Sequence, residues 1–442
     1  MKMACYPEPK NFRQAIIPMI YLNWLVGIGV SVPTSSIRCV VTTTIYTLTL
    51  WAFLLFTFYI GITSMVTFFS RDTSPMAVLM YTALIYTNAI SAMAVPVLAL
   101  MRKKELKECF ESLDRLEEPY YQASGKEKDY REILKPQFYI IATICALIVV
   151  ITATDSLWGG EDESIFIVVA LMITLHHPLL LLLVTDLTFC MIIRYIGEQI
   201  FHLNAALLAL ADNEPRTEPK PGIFQLRKAV TTVSPNEQKS SSFNGFANNV
   251  AANTISKRRT FKAIRKIHFE ITKVAAKFNQ TYGVQNLISM GLSFVMITGL
   301  LYGIYVAFHF RTSASQLMEE IIPPVGWCAV YAYKIFMISH TCAFVKGEAY
   351  KSGQIIYDIL GTTSDKELQK EVQEFSLQLI QNPVQFTACG FFALDHTYIQ
   401  GAIGSITTYL VILIQMSDTS RQSKESAPAV PDNKTSPSTY LA

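Results

Sequence analysis

The chain has 442 residues, of which 51% are hydrophobic and 16% charged, and carries a net charge of +3. So apolar a composition excludes an ordinary soluble protein of this size, and the near-neutral balance offers nothing that calls for a nucleic-acid partner. Eight scattered cysteines, none in a CxxC or other metal-ligand spacing, call for no metal site, and no motif calls for a cofactor.

Residues 13–30 are apolar but short, interrupted by Pro18 and Asn23. They read as a helix at the inner membrane interface, anchored by Tyr21 and Trp24, or else as a re-entrant piece. Seven runs then have the length and near absence of charge needed to cross about 30 Å of hydrocarbon: 41–69, 75–101, 138–154, 165–193, 284–310, 324–345 and 399–416. The chain is thus expected to be an all-α polytopic membrane protein. With no cleavable leader in view, the first span is expected to direct insertion.

Charge decides orientation. With the N-terminus in the cytosol, segments 1–40, 102–137, 194–283 and 346–398 hold 31 of the 37 Lys and Arg, five lie outside, and Lys334 sits within a span. Seven spans then leave the C-terminus extracellular. The sequon at Asn433 is exposed by this topology and the one at Asn279 hidden. Expected units are a cytosolic segment 1–40, six spans within 41–345 with a ligand pocket in their outer half, cytosolic helices in 346–398, a seventh span at 399–416, and an extracellular tail 417–442. Residues 212–260, rich in Pro, Ser and Asn, read as a disordered cytosolic loop.

Several polar groups stand inside the spans. His176 and His177 fall near the middle of the fourth, just before a bend expected at Pro178. Either they make polar contacts between helices or they meet a ligand. Asp186, nearer the inner boundary, reads as a partner for inner basic residues. Asp155 ends the third span, and Tyr305 belongs to the outer half of the fifth. In the sixth, Trp327, Tyr331 and Lys334 follow one another at i, i+4 and i+7, one helical face. An ammonium at that depth needs a partner or a wet cavity.

The last apolar run carries a narrow stripe of Gly401, Gly404, Ser405, Thr408, Ile412 and Gln415, opposite Ile403, Ile406, Leu410, Leu413 and Ile414. One side suits water or close neighbours and the other suits lipid or protein; small residues at this spacing also serve close helix packing.

Within it stand Thr408 and Tyr409, five apolar residues, then Gln415 and Met416, preceded by Phe386-Thr387-Ala388-Cys389-Gly390 and by Leu394-Asp395-His396-Thr397. This resembles the C-terminal signature of the insect gustatory receptors, where the position of Met416 is usually Phe. The run TTYLVILIQM and the tryptophan fifteen residues before Cys342 are similar to the fructose-sensing group. The resemblance implies a sugar-gated, non-selective cation channel in the plasma membrane of chemosensory neurons. It also implies a homotetramer, or a heterotetramer with related receptors, bundled by the cytosolic helix extensions, with the seventh helix lining the shared pore. Thr408, Ile412, Gln415 and Met416 are then pore residues, the last two forming the gate, where apolar side chains stop ions by dewetting. Trp327 offers a sugar a flat apolar face, while Tyr331, Lys334, Asp155, Tyr305, His176 and His177 offer hydrogen bonds. A polyol such as inositol would use the same chemistry, and a bitter compound is the other ligand class. A G-protein-coupled receptor needs the opposite orientation, a secondary transporter usually shows internal repeats, and no catalytic constellation can be assembled for an enzyme.

Overall fold

In a computed structural model the described residues are 9, 11–29, 37–69, 75–155, 165–212, 240–310, 314–363 and 365–425. Residues 213–239, Trp158 and the Asn433 sequon lie outside them. The described chain is helical except for one small hairpin, and seven of its helices are long and apolar enough to cross a membrane. Two short helices, α1 (Phe12–Ala15) and α2 (Ile17–Leu25), precede α3 (Ile37–Phe69), α4 (Pro75–Met101), α5 (Lys103–Ser124) and α6 (Arg131–Asp155). Then come the long helices α7 (Ile165–Asp212), α8 (Ser240–Phe310) and α9 (Ala314–Thr362), followed by α10 (Lys366–Gln381), strands β1 (Thr387–Ala388) and β2 (Phe392–Ala393), and α11 (His396–Glu425).

The lower halves of α7, α8 and α9 hold one another through apolar residues spaced alternately three and four apart. Ile193, Ile196, Ile200, Leu203 and Leu207 of α7 face Ile264, Ile267, Ile271, Val274 and Phe278 of α8 and Ile338, Cys342, Val345, Ile356 and Ile359 of α9, all buried in one core. That alternation keeps a single seam inward over many turns. Gly197 lets α7 and α9 close up, since a Cβ there would sit 2.7 Å from Val345 Cγ2. Polar residues set the register within the seam: Asn204 donates to the Glu348 carbonyl at 2.9 Å and accepts from Ser352 at 2.6 Å. Along its outside, α10 is pinned to α8 by Arg258 with Asp365 and Glu367, Lys262 with Glu371, and Arg265 with Glu371 and Glu374.

Three sequence expectations are corrected or completed. First, α2 is packed on α7 through its polar residue as well as its apolar ones. Asn23 is 1% exposed and donates to Thr188 Oγ1 at 2.7 Å, while the Val26 carbonyl lies 3.3 Å from His177 Nε2. These two contacts, three residues apart in the chain, reach side chains eleven residues apart on α7. Asn23 and the chain just after α2 thus find polar partners inside the bundle, while Tyr21 and Leu25 stay exposed. Second, helix α8 begins at Ser240, within the stretch that composition reads as loop. A helix already nucleated by its packed half gains one hydrogen bond per residue fixed, so Ala- and Ser-rich sequence can prolong it. Third, α11 continues past Met416 to Glu425, with Ser417 buried and the Thr419 hydroxyl on the Gln415 carbonyl.

Candidate functional site

Toward the ends of α6, α7 and α9, three side chains from the sequence reading converge. Asp155, 2% exposed, accepts from Trp327 Nε1 at 2.9 Å through Oδ1 and lies 2.8 Å from His176 Nε2 through Oδ2. A carboxylate only accepts, so Nε2 of His176 carries the proton. The imidazole stacks on the indole, ring centroids 5.4 Å apart and planes 8° from parallel, and Trp327 in turn stacks on Tyr331 at 6.2 Å. Asp155 thus fixes two flat rings at once, making a rigid aromatic wall with one buried negative charge behind it.

Below that wall, Lys334 is fully buried and forms an ion pair with Asp186 Oδ2 at 3.2 Å, which also accepts from Ser289 at 2.5 Å. The ammonium lies 5.6 Å over the Tyr331 ring. Asp186 also attracts Arg102, one of the basic residues of segment 102–137, but it pairs directly with a lysine of α9. Its sign and depth were legible in the sequence; its pairing was not, since 148 residues separate the two.

The remaining predicted groups go elsewhere. His177 turns to the Val26 carbonyl and away from the wall. Tyr305 packs on His309, centroids 4.2 Å apart, and donates to Asp418 Oδ1 at 3.3 Å, which ties the outer end of α8 to α11. It belongs with the last helix and not with Trp327.

On α11 the positions Thr408, Ile412, Gln415 and Met416 are exposed along one face, the Thr408 hydroxyl closing on the Gly404 carbonyl at 2.9 Å. Tyr409 meets Phe294 edge-on, centroids 5.9 Å apart. Of the seven long apolar helices this one is the least buried, 11% of its most apolar window.

The segment that launches α11 is the least expected part of the site. Phe386 to Leu394 folds into a hairpin whose tip, Cys389 and Gly390, has positive φ at both residues, 51° and 79°. That conformation is why glycine stands at 390. The tip rests on α8 at Gly283, where a Cβ would come within 3.3 Å of the Cys389 backbone nitrogen, and the Thr387 N–H donates to Asn279 Oδ1 at 3.3 Å. Asp395 then caps α11, accepting from the Thr397 N–H at 3.0 Å and its hydroxyl at 2.6 Å, and takes Lys346 Nζ of α9 at 2.8 Å. These contacts hold its carboxyl down to about 2, Lys346 contributing most. Helix α11 therefore starts from a point fixed to both α8 and α9. The residue string was visible in the sequence, but a nine-residue motif carries no periodicity that marks a hairpin.

The helices and the hairpin define a helical protein with seven candidate membrane spans, and the comparisons give its family. Residues 17–420 match the family model described as 7tm chemosensory receptor, and the chain belongs to that family. It is 31% identical over 167 residues to the gustatory receptor for bitter taste 66a of Drosophila melanogaster, covering 36% of this chain and 31% of that protein. With the gustatory receptor for sugar taste 43a of the same organism it shares 22% over 231 residues, 51% of this chain and 53% of that one. The match to the first of these spans about a third of that receptor's length. In fold it resembles the insect olfactory receptor OR5 from Machilis hrabei, solved in complex with eugenol, at a TM-score of 0.61 and 13% identity over 91% of this chain and 98% of that one.

Proposed function

We propose that the chain is a gustatory receptor of the ligand-gated cation channel type, in which several copies, four by the family resemblance, place α11 around a common pore. The observation that carries this reading is the exposure of α11. It presents Thr408, Ile412, Gln415 and Met416 on one face, with Ile403 (61% exposed) and Val411 (47%) on others, so most of its surface awaits neighbours other than its own subunit. Assembly is supported at the cytosolic end, where an open groove of about 1020 Å³ is lined by Tyr350, Tyr357 and Ile380, each at least 70% exposed.

The ligand in this reading is a small, largely apolar organic molecule of the bitter class, seated against the Trp327 and Tyr331 rings. A sugar needs several free hydrogen-bonding groups, whereas Asp155, His176 and the indole N–H are spent on one another and Lys334 is ion-paired with Asp186, which leaves the Tyr331 hydroxyl and the remaining N–H groups of the ammonium. The bitter receptor match at 31% identity and the eugenol complex of the olfactory receptor agree with that chemistry. Fructose is the second reading, favoured by the C-terminal run TTYLVILIQM and by the longer match to the sugar receptor. Whole-cell currents from the chain expressed alone, challenged in turn with a bitter panel, fructose, glucose and inositol, separate the two. A bitter-evoked cation current is expected. A current evoked by fructose alone would replace the first reading with the second, and silence with confirmed surface expression would make the chain a subunit of a mixed receptor.

A further inference from the structure

Just after α4, against α8, a buried cation makes no hydrogen bond to any of the described residues. Arg102 is 4% exposed and its Nε, Nη1 and Nη2 are all buried without a hydrogen-bond partner. Its one close contact is the Tyr282 ring, whose centroid lies 4.1 Å below the guanidinium carbon. A ring face attracts the charge but accepts few of the five N–H donors.

The same face of α8 continues the deficit. Tyr282, Gln285 and Asn286 stand at i, i+3 and i+4, all at most 1% exposed. The Tyr282 hydroxyl and both polar atoms of each amide lack partners. Such groups are nearly always satisfied in folded proteins, so their concentration on one helical turn beside an unpaired guanidinium marks an occupied place. Charge selects the occupant. Asp186 attracts both Lys334 and Arg102, and one carboxylate cannot balance two buried cations, so the group keeps a net positive charge.

We propose that Arg102, Tyr282, Gln285 and Asn286 form a buried site for a small monovalent anion of halide size. The guanidinium supplies the charge, and the phenol and the amides supply further donors. Because these polar atoms are all closed to solvent, the occupant lies wholly inside the bundle, which favours a bare halide over a headgroup that must keep its lipid attached. The anion would tie α4 to α8 directly beneath the Asp186–Lys334 pair, and so act as a structural ion of the bundle.

The test is the melting temperature of the purified full-length protein in detergent, titrated with sodium chloride or bromide against sodium gluconate at constant ionic strength. A saturable rise of about 3 °C or more with either halide and none with gluconate is expected, since a ligand of the native state stabilises it in proportion to its occupancy. Arg102→Gln should abolish the dependence. Should that variant not fold, Asn286→Leu, which leaves the charge in place, should weaken it at least several-fold in halide concentration. A melting temperature indifferent to the anion, or an undiminished halide effect in Asn286→Leu, overturns the site in favour of water alone.

Discussion

The indole N–H of Trp327 donates to Asp155 at 2.9 Å from a helix 172 residues further along the chain. With His176 on the other oxygen, this bond fixes the outer ends of α6, α7 and α9 relative to one another. A displacement of Trp327 is therefore shared by three helices.

Trp327→Phe keeps the stacked ring and removes the donor. Asp155, almost fully buried, then loses one partner, which should cost about 1–3 kcal/mol of stability. A lower melting temperature in detergent and a right-shifted agonist dose-response are expected. Wild-type values of both would remove this residue from the proposed site.

Breaking the ion pair below it should be more severe. Lys334→Met leaves Asp186 charged and sealed from water, a loss of about 3–5 kcal/mol, whereas Lys334→Met with Asp186→Leu should recover most of it. Surface expression and thermal stability of the two variants give the comparison. A double variant as damaged as the single one would mean that the pair does more than neutralise charge.

The Asp395 contacts give a pH prediction with a definite sign. A carboxyl whose folded-state value is depressed to about 2 contributes stability that is complete above about 4 and is lost as pH falls through about 2. Stability owed to this group should accordingly be flat between pH 5 and pH 8. Asp395→Ala removes the cap of α11 as well as the link to Lys346, at about 1 kcal/mol for the cap. It should raise resting current or lower expression across that whole range, and a variant matching wild type in both would show that the hairpin alone seats the helix.

Gln415→Ala should alter conductance or resting leak while leaving the agonist concentration for half-activation unchanged. Met416→Phe should tighten the closed state, a rigid ring replacing a flexible thioether. Single-channel recording reads both. Ordinary conductance and leak in the first variant would move the gate away from this end of α11.

Glycosylation mapping checks the orientation. Asn433 should be modified and Asn279 spared; the latter is 9% exposed and its amide oxygen is engaged by Thr387. Modification at Asn279 would reverse the topology.

How far the site could be read from the chain depended on distance along it. Trp327, Tyr331 and Lys334 were recognisable as one face because helical spacing is a local property. Asp155 and His176 were singled out for their depth in the spans, yet nothing local tells that they meet each other and Trp327, or that Tyr305 leaves them for α11. Lys334 was recognisable as a charge in need of a partner, and only the folded chain names Asp186.

The sequence by itself determined the number of spans, the all-helical class, the orientation expected from charge and the family, because apolar run length, loop charge and short motifs are written along one dimension. Tertiary structure decided what those elements do to one another: that α2 packs on α7, that a hairpin and Asp395 anchor α11, and that Asp155 and Asp186 take partners from α9. The physical reason is that a buried polar group must be satisfied by whatever lies beside it in space. Its partner is chosen by the packing of helices distant in the chain, about which sequence spacing carries no information.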